Sequence, residues 1–133
     1  MYYTDPEIAH VGMYEHDAAE KGIAIDTYVH ELSHVDRSRT DGHTDGFVKI
    51  HLKRGTDKIL GATIVASEAG EMINLITLAM NNGLGLGSIA QMIFPYPVQS
   101  EAIKKIADKH NRSSSPRSRR SCARGSSCGG RNI

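Results

Sequence analysis

Two apolar runs joined by a polar turn constrain this chain more than anything else in it. Phe47-Val48-Lys49-Ile50-His51-Leu52-Lys53 alternates with period two, which puts Val48, Ile50 and Leu52 on one face of an extended strand. Arg54-Gly55-Thr56-Asp57-Lys58 carries turn chemistry, and Ile59 to Ala66 returns as a more fully apolar run. This pattern predicts a β-hairpin whose second strand is the more fully buried.

The elements around the hairpin read less sharply. Ile8-Ala9-His10-Val11-Gly12 predicts a short strand, and Tyr14 to Lys21 a short helix that Gly22 stops. Ile23, Ile25, Thr27 and Val29 alternate, which favours another strand. The polar stretch 36–45 reads as a loop. After the hairpin, Ala69, Met72, Ile73, Ile76, Ala79 and Met80 recur at helical spacing down to Asn82-Gly83, with Ser67 as the expected cap. Ser88 to Phe94 predicts one helical turn, and Ala102, Ile103, Ile106 and Ala107 a final helix to about Lys109. Strands first and helices second indicate an α+β fold, an antiparallel β-sheet with helices packed on it.

Between the last two helical stretches lies Phe94-Pro95-Tyr96-Pro97-Val98-Gln99-Ser100-Glu101. Two prolines fix φ twice and remove two donors, so the segment is a stiff connector. It holds the Tyr96 phenol at a helix entrance with the Glu101 carboxylate just inside. That is the geometry of a site arm, and equally of a proline-rich helix start with a half-buried tyrosine.

Composition excludes some classes of function. No window approaches the roughly 20 apolar residues of a membrane span, and no signal-peptide pattern opens the chain. The formal net charge of +1 hides a split: residues 113–133 hold five Arg and no acid, so residues 1–112 are acidic. The segment 113–133 is Ser, Arg and Gly without apolar periodicity, which predicts a disordered tail following a domain at 1–112. Its arginines would suit phosphate contacts, but a solvated extension is the better reading, and no nucleic-acid partner is expected. Cys122 and Cys128 lie in that tail, which leaves the body without a disulfide framework and points to a reducing compartment, the cytoplasm or an organellar matrix.

Three patterns could carry chemistry. His30-Glu31-Leu32-Ser33-His34 matches the H-E-x-x-H of zinc hydrolases, in which a helix brings two imidazoles one turn apart to one metal. Here the preceding residues alternate as a strand does, which would set His30 and His34 about 13 Å apart. The extended form of the motif also fails, because Arg37 and Thr40 stand where Gly and His should, and His43 comes three residues late. No metal site is expected. Gly83, Gly85 and Gly87 lack the strand and spacing of a phosphate loop, and read as a helix stop and connection. The scattered histidines read as surface residues, and Met72, Met80 and Met92 as core.

Six phrases in order carry a family resemblance. They are Thr4-Asp5-Pro6-Glu7-Ile8-Ala9-His10-Val11-Gly12, Val35-Asp36-Arg37, Asp45-Gly46-Phe47-Val48-Lys49, Leu60-Gly61-Ala62, Ala69-Gly70-Glu71-Met72-Ile73, and Tyr96-Pro97-x-x-Ser100-Glu101. Over residues 2–112 the chain resembles the C-terminal dimerisation domain of the pyridine nucleotide–disulfide oxidoreductases, which include dihydrolipoamide dehydrogenase, glutathione reductase and mercuric reductase. The resemblance implies a homodimer that works with the FAD- and NAD(P)-binding domains of the same enzyme. In most of the family a His-Pro-Thr pattern followed by Glu supplies an acid/base to the partner subunit. Here Glu101 matches the Glu, whereas Tyr96 replaces the His and Val98 the Thr. A tyrosine with a pKa near 10 cannot cycle protons at neutral pH as His does. The Phe-Pro-Tyr wording is most similar to the mercuric reductase branch, although Cys122 and Cys128 do not form that branch's vicinal pair.

The resemblance thus implies catalytic roles for Tyr96 and Glu101, with the Tyr96 and Pro97 backbone near the partner's flavin. The G-x-G-x-x-G, C-x-x-x-x-C and nicotinamide-binding patterns of a complete enzyme are not in these residues. Met1 falls where the family's domain would begin mid-strand, so the chain reads as a C-terminal fragment. Alone it is expected to bind neither FAD nor NAD(P)H and to lack turnover. The competing readings are a stand-alone, non-catalytic dimerisation module and a zinc hydrolase using His30, Glu31 and His34.

Overall fold

The computed structural model describes residues 2–42, 45–96 and 98–114. His43, Pro97, Cys122 and Cys128, and with them nearly all of the expected tail, lie outside that set. The elements in order are β1 (Glu7–Gly12), α1 (Glu15–Glu20), β2 (Ile25–Glu31), a 3-10 turn (Leu32–His34), α2 (Asp36–Asp41), β3 (Phe47–Lys53), β4 (Ile59–Ala66), α3 (Ala69–Asn81), α4 (Leu86–Ala90) and α5 (Glu101–Ser114). No helix among the described residues is long and apolar enough to cross a membrane.

The hairpin is the centre of the sheet. The four strands run in the order β1-β4-β3-β2, all antiparallel, with Val48 opposite Ile64 and Ile50 opposite Ala62. The alternation in β3 does what its period demands: Val48, Ile50 and Leu52 are fully buried, as are Ala62, Ile64 and Ala66 of β4. Onto this face pack Met72, Ile76 and Ala79 of α3, Leu86 and Ile89 of α4, and Ile103, Ile106 and Ala107 of α5. Each large aliphatic side chain buried here stabilises the fold by about 1.5–3 kcal/mol. Helix α3 lies against β1 and β4, α5 against β2, and α4 against α5.

Several local expectations are corrected. Residues 36–41 form α2 rather than a loop, closed by Gly42 at φ 74°, a left-handed cap that glycine adopts without strain. Val35 just before it and Ser38 within it are buried, and its residues are charged or hydroxylic, so it carries no apolar period. Ser67 does not cap α3. The Glu7 carboxylate of β1 takes that place, accepting the Gly70 N–H at 3.0 Å, and Ser67 pairs with Gln99 instead. The single helical turn begins at Leu86 rather than Ser88. Helix α5 continues past Lys109 to Ser114; the Ser113 hydroxyl donates to His110 O at 2.7 Å. Met92 is exposed, whereas Met72 is core.

The histidines are not all on the surface. His110 is buried, its Nδ1 3.2 Å from the Tyr28 hydroxyl. His51 is 2% exposed on the sheet face opposite the core, beneath α1. There Glu15 Oε1 accepts from Thr27 Oγ1 at 3.3 Å and Lys49 Nζ at 3.5 Å, and lies 3.9 Å from His51 Nδ1. Burial is the largest influence on His51 and pushes its pKa below the ordinary 6.5, outweighing the opposing pull of Glu15.

Two outcomes follow. Ile50→Ala should cost about 2–5 kcal/mol in urea unfolding, with a lowered midpoint and an unchanged slope. Because the folded chain holds His51 deprotonated more firmly than the unfolded chain does, His51 contributes stability that is full above pH 6.5 and lost as pH falls towards its depressed folded value. Thermal melts across that window should show a decline that His51→Gln reduces.

Candidate functional site

The stiff segment before α5 is anchored at two points. Gln99, almost fully buried, donates from Nε2 to Ser67 Oγ at 2.9 Å, tying the helix entrance to the end of β4. Further out, the Tyr96 hydroxyl donates to Asp36 Oδ2 at 2.8 Å, tying the phenol to the first turn of α2. Phe94 packs against the core, yet Tyr96 is 70% exposed and Ile93 94% exposed. Met92 adds to this lip, so a rigid segment presents three large side chains to the surroundings.

The Tyr96 phenol has its pKa raised above 10.0. The hydrogen bond to Asp36 is the main cause, followed by the charge of Asp36, with a smaller push from Glu101. The group is therefore a neutral O–H donor at physiological pH and cannot act there as a proton-cycling base.

Glu101 opens α5, where a carboxylate suits the helix dipole. Its Oε1 is 3.9 Å from Lys105 Nζ one turn on, and Lys105 Nζ also donates to His34 O at 2.9 Å. Its Oε2 is buried without a hydrogen-bond partner among the described residues, as is His30 Nε2. The expected pair Tyr96 and Glu101 thus sits at one end of the sheet, with Asp36, Lys105, His30 and His34 beside it. Pro97, the third expected site residue, lies outside the described residues. Sequence reasoning missed Asp36 and Lys105; the only trace of Asp36 was its place in a family-like phrase.

The expected separation of His30 and His34 is also corrected. The strand ends at Glu31 and the 3-10 turn folds the chain back, leaving the two rings 5.9 Å apart between centroids. They still do not make the zinc motif. His30 shares the helix-covered face of the sheet with Val48, and Glu31, opposite Phe47, is turned to the other face. No group of three or more His, Cys, Asp or Glu among the described residues can hold a metal.

The family model described as "Pyridine nucleotide-disulphide oxidoreductase, dimerisation domain" matches residues 1–107. The chain belongs to this family. A mercuric reductase from Shewanella putrefaciens is 36% identical over 110 residues, covering 83% of this chain and 20% of that protein. A mitochondrial dihydrolipoyl dehydrogenase from Sus scrofa is 39% identical over 103 residues, covering 77% and 20%. Among solved structures, LpdA from Mycobacterium tuberculosis superposes with a TM-score of 0.76 at 31% identity, over 81% of this chain and 24% of that one. The HOCl-induced flavoprotein disulfide reductase RclA from Escherichia coli, as its Cu(II) complex, gives 0.76 at 28% identity, over 80% and 24%. The chain spans about a fifth of the length of the curated relatives it matches.

The two glycine-bearing helix starts do not fit a dinucleotide. At α4 the Gly87 N–H donates to Asp57 Oδ2 at 3.3 Å, and a Cβ on Gly85 would collide with the same carboxylate. At α3 the Glu7 carboxylate holds the Gly70 N–H. Both positive helix ends already carry a carboxylate, which would repel a pyrophosphate.

Asp36→Asn should lower the pH at which Tyr96 ionises, since it removes both the main acceptor of the phenol and the main repulsion on the phenolate. Titration of the Tyr96 ring carbon by NMR reads this directly, and an unchanged midpoint would mean that the contact does not persist in solution.

Proposed function

We propose that this chain forms the two-fold interface of an FAD-dependent, NAD(P)H-linked reductase acting on a disulfide or a soft metal ion, and that its Tyr96/Glu101 arm enters the partner subunit's reaction centre. The observation that carries this reading is the anchored lip of Ile93 and Tyr96. A large aliphatic side chain at 94% exposure and a phenol at 70%, on a segment stiffened by proline and pinned at two points, is an arrangement that a second surface completes.

Within that reading the flavin and the nicotinamide belong to the FAD- and NAD(P)-binding domains of the same enzyme, and this chain supplies orientation. Tyr96, held neutral with its O–H given to Asp36, presents its hydroxyl oxygen and ring face to the substrate, and Glu101 places a carboxylate behind it. No proton transfer through Tyr96 is required. The working compartment is a reducing one, the cytoplasm or an organellar matrix, and neither membrane nor nucleic acid is a partner. Helix α5 of this unit extends to Ser114. A stand-alone dimerisation module is the second reading, in which the same interface forms but the arm meets no reaction centre.

Tyr96→Phe in the complete enzyme tests the arm. Removing one oriented hydroxyl should lower kcat/KM by roughly ten- to a hundredfold while the dimer persists in light scattering. Unchanged turnover would return Tyr96 to packing.

A further inference from the structure

The anchors of the arm hold its backbone and its phenol separately. Phe94 packs on the core before Tyr96, and Gln99 is bonded to Ser67 after it, so the chain is fixed on both sides of the ring. Neither contact reaches the phenol, which at 70% exposure still has its side-chain torsions and its hydroxyl rotor to be set. The bond that sets them is the 2.8 Å donation from the Tyr96 hydroxyl to Asp36 Oδ2. Asp36 itself is exposed in the first turn of α2, a helix that rests on the burial of Val35 and Ser38 and on its closure by Gly42. A carboxylate already in solvent gains little from one phenol, so the effect of the contact falls on Tyr96.

We propose that Asp36 is the positioning residue of the arm and sets its specificity: by holding the phenolic proton it fixes the direction of the Tyr96 hydroxyl, so that the arm accepts from an electron-poor atom in the partner subunit and does not donate to an anion. This rests on the reading of Tyr96 and Glu101 as an arm that enters the partner's reaction centre.

A phenolic hydroxyl has one proton to give, and lone pairs that accept. With the proton committed to Asp36, what remains on the exposed side is the oxygen, which can meet a hydrogen-bond donor or a cation. A charged acceptor strengthens this bias, because a hydrogen bond to a carboxylate is stronger than one to a neutral group and polarises the donor oxygen further. The electrostatics agree. Asp36 and Glu101 both oppose ionisation of the phenol, Asp36 the more strongly, so the field at the tip of the arm is one that a thiolate or other anion would avoid. Lys105 does not offset it at the ring, since its Nζ is given to His34 O at 2.9 Å and lies 3.9 Å from Glu101 Oε1. Without Asp36 the same exposed ring would have to be ordered during reaction, which costs roughly two- to tenfold in rate for one immobilised side chain.

Two measurements test the assignment. In the intact chain, the NMR couplings between Hα and Hβ of Tyr96 should report a single χ1 rotamer, and Asp36→Ala should average them. Averaged couplings in the unaltered chain overturn the fixing of the ring. In the complete enzyme, with whichever of a disulfide or mercuric ion it reduces, Asp36→Ala should lower kcat/KM roughly two- to tenfold while the dimer persists. The same change made in Tyr96→Phe should cost nothing further, because Asp36 acts through the hydroxyl which that variant lacks. A full second loss in the double variant would mean that Asp36 serves α2 alone, and overturns the role. A gain of turnover in Asp36→Ala overturns it from the other side, since the freed proton would then be what the reaction uses. Unchanged turnover in Asp36→Ala beside an impaired Tyr96→Phe also overturns it, with the arm intact. Failure of the arm itself is read separately, by unchanged turnover in Tyr96→Phe.

Discussion

The pairing of β3 with β4 is the constraint on which everything else rests. These two strands occupy the middle of the sheet, and their helix-facing side chains are fully buried from Val48 to Leu52 and from Ala62 to Ala66. Three helices cover that face: α3 meets β1 and β4, α5 meets β2, and α4 packs on α5. Helix α5 meets β2, so the connector that precedes α5 must cross the end of the sheet where β2 terminates and α2 begins. The arm lies there because the helix behind it has nowhere else to start.

The hairpin and α3 were legible in the sequence because their periods, two and 3.6, persist over enough residues to exclude alternatives. The α+β class followed from their order. Helix α2 was not legible: six residues of charge and hydroxyl give no apolar face, and its stability comes from Val35 and Ser38 turning inward and from Gly42 closing it. The cap of α3 was misread for a related reason. Ser67 is the nearest hydroxyl in sequence, but the acceptor that reaches Gly70 is Glu7, 63 residues away, brought there by the pairing of β1 with β4.

The candidate site divides in the same way. Tyr96 and Glu101 were visible because proline spacing and a helix start mark them locally, and the family resemblance named them. Asp36 meets Tyr96 across 60 residues, and Lys105 reaches His34 across 71. Such contacts have no period and no local signature. His30 was noticed for the wrong chemistry, because H-E-x-x-H presumes a helix. On a strand the same letters send His30 and Glu31 to opposite faces, which makes His30 a neighbour of α5 and leaves Glu31 on the far side.

The turn between β3 and β4 is more than a reversal of direction. Asp57 receives the Leu86 N–H on its backbone oxygen at 2.9 Å and the Gly87 N–H on its carboxylate, so it closes the first turn of α4 from outside. Hairpin tips ordinarily tolerate added or exchanged residues, because little depends on them. Here a lengthened tip would withdraw both acceptors from α4, and α4 is packed on α5. A change of loop length some forty residues before Tyr96 would thus be felt in the helix that carries Glu101, which makes the tip a poor place to splice in a tag or a reporter.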